Sequence, residues 1–411
     1  MRRALLLLVT VSIVGCGDDA TPSDQPDAGS NADVVTTVDS GGADSGTDAT
    51  PIPLDAAPPG SGMWSMGYYA GYEAAKYPVT EIEWSGMTHI AVAFYLPDAN
   101  GGLDEELFLG PTAGPKLGHA IVDAAHKAGK KAIASVGGAG MHDNMVGSAS
   151  NANRAKFVAR IKKVVTDYGY DGVDLDWEPL GTADAASLEA LAKDLRTAMP
   201  GTILTIPIGT LNHNLTEDLS WVPKIAAVFD QLNLMSYSMA GAYQGWKSWH
   251  ASPLHWNADS STPTGIDDSV DAFLAAGVPA AKLGVGAGFY GLCYTMPVTA
   301  PGQALGGSTI KASDGAMSYV AIMTQYHSPA AAKWDANAKV PYLSFTQATG
   351  PEGCSYVSYE DAQSLGEKGA YAKSQKLGGI IVWTINQGYL PAAPVGQKSP
   401  LLLALKTAFV Q

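Results

Sequence analysis

The chain has 411 residues, with 25 Lys and Arg against 39 Asp and Glu, and a formal charge of −14. That sign excludes a nucleic-acid binder, which needs a basic surface for phosphate contacts. A hydrophobic content of 46% excludes global disorder, and three cysteines exclude a disulfide scaffold or a cysteine-rich zinc protein.

Met1-Arg2-Arg3 precedes an apolar run from Ala4 to Val14, followed by Gly15-Cys16. A basic start, a short apolar stretch and a small residue predict a secretory signal over residues 1–15. The run is too short to span a bilayer as a stable anchor. Ile13-Val14-Gly15-Cys16 resembles a bacterial lipobox, which implies cleavage before Cys16 and lipidation of its thiol. An ordinary signal peptide with an incidental cysteine is the alternative. Two or more acyl chains suffice for stable anchoring. The expected location is therefore the cell envelope of an exported bacterial lipoprotein, at the outer membrane or surface, with release into the medium as the alternative.

Residues 16–60 are rich in Asp, Ser, Thr, Ala, Gly and Pro and lack aromatics. Such a segment buries too little surface to offset its ordering entropy, and like charges extend it. It reads as a disordered acidic linker. Nine aspartates fall between 18 and 55 with no Lys or Arg among them, which leaves residues 61–411 with a net charge of −7.

Eight apolar, β-rich segments follow: Met66–Tyr72, His89–Tyr95, Lys131–Gly137, Gly172–Trp177, Ile203–Ile208, Gln231–Tyr237, Leu283–Phe289 and Gly379–Ile385. Helical spacing lies between several of them, over Leu117–Ala128, Ala155–Val165 and Ala185–Met199, with Gly129 and Gly169 as stops. Strand–helix alternation implies a parallel sheet, and eight units predict an α/β fold, a (β/α)8 barrel. An open doubly wound sheet is the alternative. About 90 residues separate the last two strands, too many for a bare loop. A small inserted α+β subdomain is expected over 292–357.

The most informative stretch is Asp171-Gly172-Val173-Asp174-Leu175-Asp176-Trp177-Glu178. Side chains alternate faces along a strand, so Asp174, Asp176 and Glu178 share one face and Val173, Leu175 and Trp177 the other. Three acids on a barrel interior cannot all ionise comfortably, and repulsion with burial raises at least one pKa. Glu178 sits last, at the C-terminal end where barrel sites lie. It is best placed to hold and donate a proton, with Asp176 taking up charge. A surface strand and a Ca²⁺ or Mg²⁺ site are the alternatives; the apolar opposite face argues against the first. Carboxylates in a line rather than a cage argue against the second.

Asp171–Glu178 resembles the D-G-x-D-x-D-x-E signature of glycoside hydrolase family 18, the chitinases and related endo-N-acetylglucosaminidases. Ser135-Val136-Gly137-Gly138 resembles the family's S-x-G-G, and Met235-Ser236-Tyr237 its M-x-Y. Lys282–Gly286, Phe289-Tyr290-Gly291, Trp334-Asp335, Ser358–Asp361 and Leu377–Gly379 with Trp383 are similar to later family segments. The likeness covers about residues 65–390 and implies a chitinase insertion subdomain in the last interval. It further implies cleavage of β-1,4-linked N-acetylglucosamine polymers with retention, assisted by the substrate's own acetamido group. No cofactor or metal is implied. Glu178 would be the general acid and later base, Asp176 would orient the acetamido N–H, and Asp174 would share a proton or hydrogen bond with Asp176. Tyr237 would donate to the acetamido oxygen and Trp383 would floor the sugar. Met235, Tyr69, Phe94, Trp246 and Tyr290 are further candidates for sugar contact. The family's M-x-Y usually continues with Asp or Asn, and here Ser238 follows. Action on glycoprotein glycans or peptidoglycan, and a chitin-binding lectin without catalysis, are the rival readings.

Trp246, Trp249 and Trp256 crowd one loop, either as part of a sugar cleft or as packing. With Cys16 lipidated, Cys293 and Cys354 remain as a pair for one disulfide closing the insertion. His142 and His250 read as polar loop residues rather than metal ligands. The expected partners are glycans and, through the anchor, a membrane; the protein is expected to be monomeric.

Overall fold

The computed structural model describes residues 62–211, 218–242, 245–256, 264–312 and 315–411. The expected signal, Cys16 and the acidic linker lie outside the described residues. The strands in chain order begin with β1 (Trp64–Ala70), β2 (His89–Pro97), the short β3 (Leu103–Asp104), β4 (Lys131–Ala139) and β5 (Gly172–Glu178). They continue with β6 (Ile203–Ile208), β7 (Gln231–Leu234), β8 (Leu283–Gly288), β9 (Leu292–Thr295) and β10 (Ile310–Ala312). The last are β11 (Ala332–Asp335), β12 (Val340–Thr349), β13 (Cys354–Ser358) and β14 (Gly379–Trp383).

Eight of these run parallel in the order β1-β2-β4-β5-β6-β7-β8-β14, and β14 pairs back onto β1. Closure removes every free edge of the parallel sheet, as a barrel requires. The small β3 adds to β2 in the antiparallel sense. The open-sheet alternative is thereby excluded.

The helices are α1 (Ala113–Lys127), α2 (His142–Ala149), α3 (Arg154–Tyr168), α4 (Ala185–Ala198), α5 (Val222–Ala226), α6 (Ile266–Ala275), α7 (Tyr319–Gln325), α8 (Ala362–Ser374) and α9 (Pro400–Leu405). The three that the sequence predicts, α1, α3 and α4, bury apolar stripes, with Ile121 and Ala125 on α1. On α3 the stripe is Phe157, Ile161, Val164 and Val165; on α4 it is Leu188, Leu191 and Leu195. Gly169 ends α3 in the left-handed region at φ 80°, where a side chain would be strained. The short α2 was not signalled by its mostly polar sequence.

Strand parity divides the core into two layers. Val173, Leu175 and Trp177 join Ile90, Val92, Ala134 and Leu204 in the layer between barrel and helices. Met66, Tyr68, Ala91, Ala93, Ile133 and Ile381 fill the barrel interior. The second sheet, between β8 and β14, is antiparallel in the order β10-β9-β13-β12-β11. Cys293 of β9 and Cys354 of β13 are joined in a disulfide, with Cα atoms 5.4 Å apart.

Candidate active site

The inward face of β5 carries Asp174, Asp176 and Glu178, from the barrel's middle to its C-terminal rim. Asp174 is fully buried and Asp176 is 3% exposed; Glu178 is half-buried. Asp174 is caged by hydroxyls from three other strands. Tyr68 of β1 donates to Oδ2 at 2.9 Å, Ser135 of β4 to Oδ2 at 2.8 Å, and Thr205 of β6 to Oδ1 at 2.6 Å. Tyr68 and Thr205 were not singled out in the sequence. Their signal is a polar side chain at an inward parity position of an otherwise apolar strand.

Asp176 receives no hydrogen bond from an N–H or hydroxyl group on its buried Oδ1. Its carboxyl lies between those of Glu178 and Asp174, close enough to Glu178 for the two to share a hydrogen bond. Burial raises the pKa of all three acids. For Asp174 the hydroxyl donors oppose that rise. Asp176 is pushed well above its ordinary range, first by burial and then by the charges of Glu178 and Asp174. For Glu178 the hydrogen bond from Asp176 opposes the effect of burial. The sequence placed the resting proton on Glu178; Asp176 is the more buried of the two and is flanked by carboxyls on both sides, so burial and their charges hold its carboxyl above the usual range as well.

The aromatic surround comes from neighbouring strand ends. Trp383, the last residue of β14, stacks on Phe94 with ring centres 5.4 Å apart and meets Tyr68 at 5.6 Å. Met235 and Tyr237 pack beside this group. Burial and then the nearby Tyr290, Glu178, Asp176 and Asp174 raise the Tyr237 pKa, so its hydroxyl is a neutral donor facing the acids. Tyr290 packs edge-on to Tyr237 at 6.2 Å, and its hydroxyl lies 2.5 Å from Ser238 Oγ. Ser238, standing where the family usually has a carboxylate or amide, is exposed and left-handed at φ 53°.

Tyr69 does not belong to this group. It is one residue out of phase with Tyr68, points to the helix layer, and donates to the carbonyls of Tyr77 at 2.7 Å and Ala74 at 3.3 Å. Phe94 does reach the interior although its parity predicts otherwise, because β2 bulges between Val92 and Tyr95. In the loop after β7, Trp246 is half-buried, whereas Trp249 is packing: it is 3% exposed and donates to the Thr264 carbonyl at 3.2 Å. His142 opens α2 rather than a loop, and its Nε2 lies 3.2 Å from Asp184. His250 is buried between Asp335 at 3.0 Å and the Tyr356 hydroxyl at 2.9 Å, and burial lowers its pKa.

The site is thus a closed (β/α)8 barrel with a ladder of three carboxyls rising to its C-terminal rim. The model of the glycosyl hydrolases family 18 matches residues 65–388, and the chain belongs to that family. A probable endochitinase of Caenorhabditis elegans is 29% identical over 261 residues, 58% of this chain and 40% of the relative. Chitinase A1 of Niallia circulans is 32% identical over 291 residues, 62% of this chain and 40% of the relative. The chain thus spans about two fifths of the length of these curated relatives. Among solved structures, the Group IV chitinase of Ostrinia furnacalis in complex with allosamidin superposes with a TM-score of 0.71 at 24% identity, covering 84% of this chain and 98% of the other. The chitinase of Rhizomucor miehei gives 0.69 at 25% identity, covering 84% and 99%.

Proposed function

We propose that the chain is a retaining glycoside hydrolase that cleaves β-1,4-linked N-acetylglucosamine polymers by substrate assistance. The observation that carries this reading is the ladder itself: a caged Asp174, an Asp176 sharing a proton with Glu178, and Glu178 alone at the rim. Each residue then has a task its surroundings suit. Glu178 takes the shared proton and gives it to the glycosidic oxygen as the bond breaks. The substrate's acetamido oxygen attacks the anomeric carbon, so no enzyme nucleophile is needed. Asp176, left ionised, has acceptor capacity for the acetamido N–H and balances the cationic intermediate. Tyr237 donates to the acetamido oxygen, and Trp383 with Phe94 supplies an apolar floor. Glu178 then draws a proton from water, whose oxygen opens the intermediate with the original stereochemistry.

The antiparallel sheet over β9–β13 is read as the chitinase insertion subdomain, a wall that deepens the cleft for a linear chain. Residues 1–15 are read as a lipoprotein signal, Cys16 as the lipidated residue, and 16–60 as a tether to the cell envelope. Export and the lipid anchor are supported by the basic start, the apolar run and the Ile13–Cys16 pattern.

Glu178→Gln keeps the side-chain shape and removes the transferable proton. It is expected to lower turnover of chitooligosaccharides by at least 10²-fold, the lower range for general acid catalysis, while calorimetry shows oligosaccharide binding within a few-fold of the parent. Wild-type turnover in the variant would overturn the assignment of Glu178. A panel of chitin oligomers, glycoprotein glycans and peptidoglycan, read by mass spectrometry, tests the substrate class.

A further inference from the structure

Lys368 of α8 is fully buried, a rare place for an ammonium. Its Nζ is paired with Glu360 and donates to Ser252 Oγ at 2.8 Å. Glu360 is 2% exposed, and its other oxygen accepts from Ser364 Oγ at 2.6 Å. Three distant stretches meet here: the exit of the antiparallel sheet, helix α8, and the loop after β7. A buried ion pair is weak evidence for stability, because desolvation offsets most of its Coulomb gain and apolar side chains of like volume often do as well. The polar arrangement therefore asks for another account.

The hydrogen-bond chain beyond the pair supplies one. Ser252 Oγ donates onward to the Ser236 carbonyl. The Ser236 hydroxyl in turn donates to the Gly286 carbonyl at 3.0 Å and accepts from the Gly286 N–H at 2.7 Å. Ser236 is the residue immediately before Tyr237. The far side of the same stretch is held by the Met239 N–H on the Ala251 carbonyl at 2.8 Å, and the Ala251 N–H on Ser358 Oγ at 2.9 Å. A hydroxyl has one proton and can rotate, whereas an ammonium only donates. Facing Lys368, Ser252 must accept on that side, so its proton has to go to Ser236. The buried charge thus fixes the direction of the chain, and Glu360 fixes the charge.

We propose that Lys368 and Glu360 are positioning residues for Tyr237, acting through Ser252, whose oriented hydroxyl grips the Ser236 carbonyl and sets the backbone from which the Tyr237 hydroxyl faces the ladder. The catalytic consequence rests on the function proposed above; the positional one does not.

The test uses the full chain and two variants. Ser252→Ala leaves the ion pair and cuts the link. Lys368→Met combined with Glu360→Gln removes both charges at similar volume, so neither is left buried alone. Both are expected to fold, as judged by far-ultraviolet circular dichroism. In each, kcat on chitotetraose is expected to fall about 10- to 100-fold, the scale of an ångström misplacement, with KM within about threefold of the parent. The loss should vanish in a Tyr237→Phe background, and Ser252→Thr should restore most of the rate. An unchanged kcat, or an equal loss with and without the Tyr237 hydroxyl, overturns the proposal. Crystal structures of both variants give a second arm that needs no substrate: a displaced Tyr237 hydroxyl supports the proposal, and one left in place overturns it. A parent that folds but does not cleave chitotetraose counts against the functional reading alone, and the structures then decide the positional claim.

Discussion

Burying Asp176 between two other carboxyls has a consequence for pH dependence that differs in sign from the usual ion-paired aspartate. Its folded pKa lies well above its ordinary value near 3.8, chiefly through burial. Below that value both folded and unfolded chains hold the proton, and there is no difference between them. As pH rises, the unfolded chain releases its proton first, so the folded state binds more protons and stability falls. Asp176→Asn removes this liability. The variant is expected to gain stability relative to the parent as pH rises from 4 to 7, by up to about 1.4 kcal/mol per pH unit. Chemical denaturation at four pH values measures it; a constant difference would mean that Asp176 ionises normally in the fold. At this scale the sequence disclosed the ladder because strand alternation is strict: three acids and three apolar residues cannot exchange faces without reversing the core. It did not disclose the hydroxyl cage of Asp174, because Tyr68, Ser135 and Thr205 come together only through barrel closure. Nor could it separate Tyr68 from Tyr69, adjacent residues of one type whose roles depend on a parity that the flanking Gly67 and Ala70 do not reveal.

The element that sets the ladder against its surroundings is β4. Gly137 pairs in register with Asp176. It sits at φ +116°, and a Cβ there would overlap the Asp176 carbonyl. The next residue, Gly138, lies at φ +107° beneath the Phe94 ring, where a Cβ would come within 2.9 Å. Both are positions where only glycine avoids strain and collision. Gly137→Ala is expected to cost about 1–3 kcal/mol of stability, the range for a residue forced into a sparsely allowed conformation. Because the displaced atoms belong to Asp176, kcat should fall by far more than the change in folded fraction explains. Thermal unfolding alongside steady-state kinetics separates the two effects, and a fully active variant would show that the close approach of β4 to β5 is dispensable. Element boundaries were less legible than element identity. Strand β7 stops at Leu234 rather than Tyr237 because the Ser236 hydroxyl takes over the bonds to Gly286 that a continuing strand would make with its backbone. A serine carries no signal for that substitution until its partner strand is known. The bulge that turns Phe94 inward is likewise a property of the β2–β4 pairing and not of the β2 sequence.

On the scale of the whole molecule, the distribution of charge bears on how the proposed anchor works. Residues 61–411 carry a net charge of −7, and the preceding stretch adds nine aspartates. An acidic protein gains nothing from the negative surface of an anionic leaflet, which favours basic segments instead. Among the described residues no helix is long and apolar enough to cross a membrane. The proposed attachment to an envelope rests on acyl chains on Cys16. Cys16→Ser in the full chain, expressed in a bacterial host that processes lipoproteins, is expected to move the protein from the detergent-rich phase to the aqueous phase of a Triton X-114 partition. Turnover of soluble chitooligosaccharides should stay the same, because Cys16 precedes the barrel by almost fifty residues and the ladder, cage and floor all lie within it. Metabolic labelling with a fatty acid gives the covalent readout: incorporation into the parent and none into the variant. Equal partition of the two proteins, or label retained after the substitution, would rule out Cys16 as the point of attachment and leave the acidic stretch without a role as a tether.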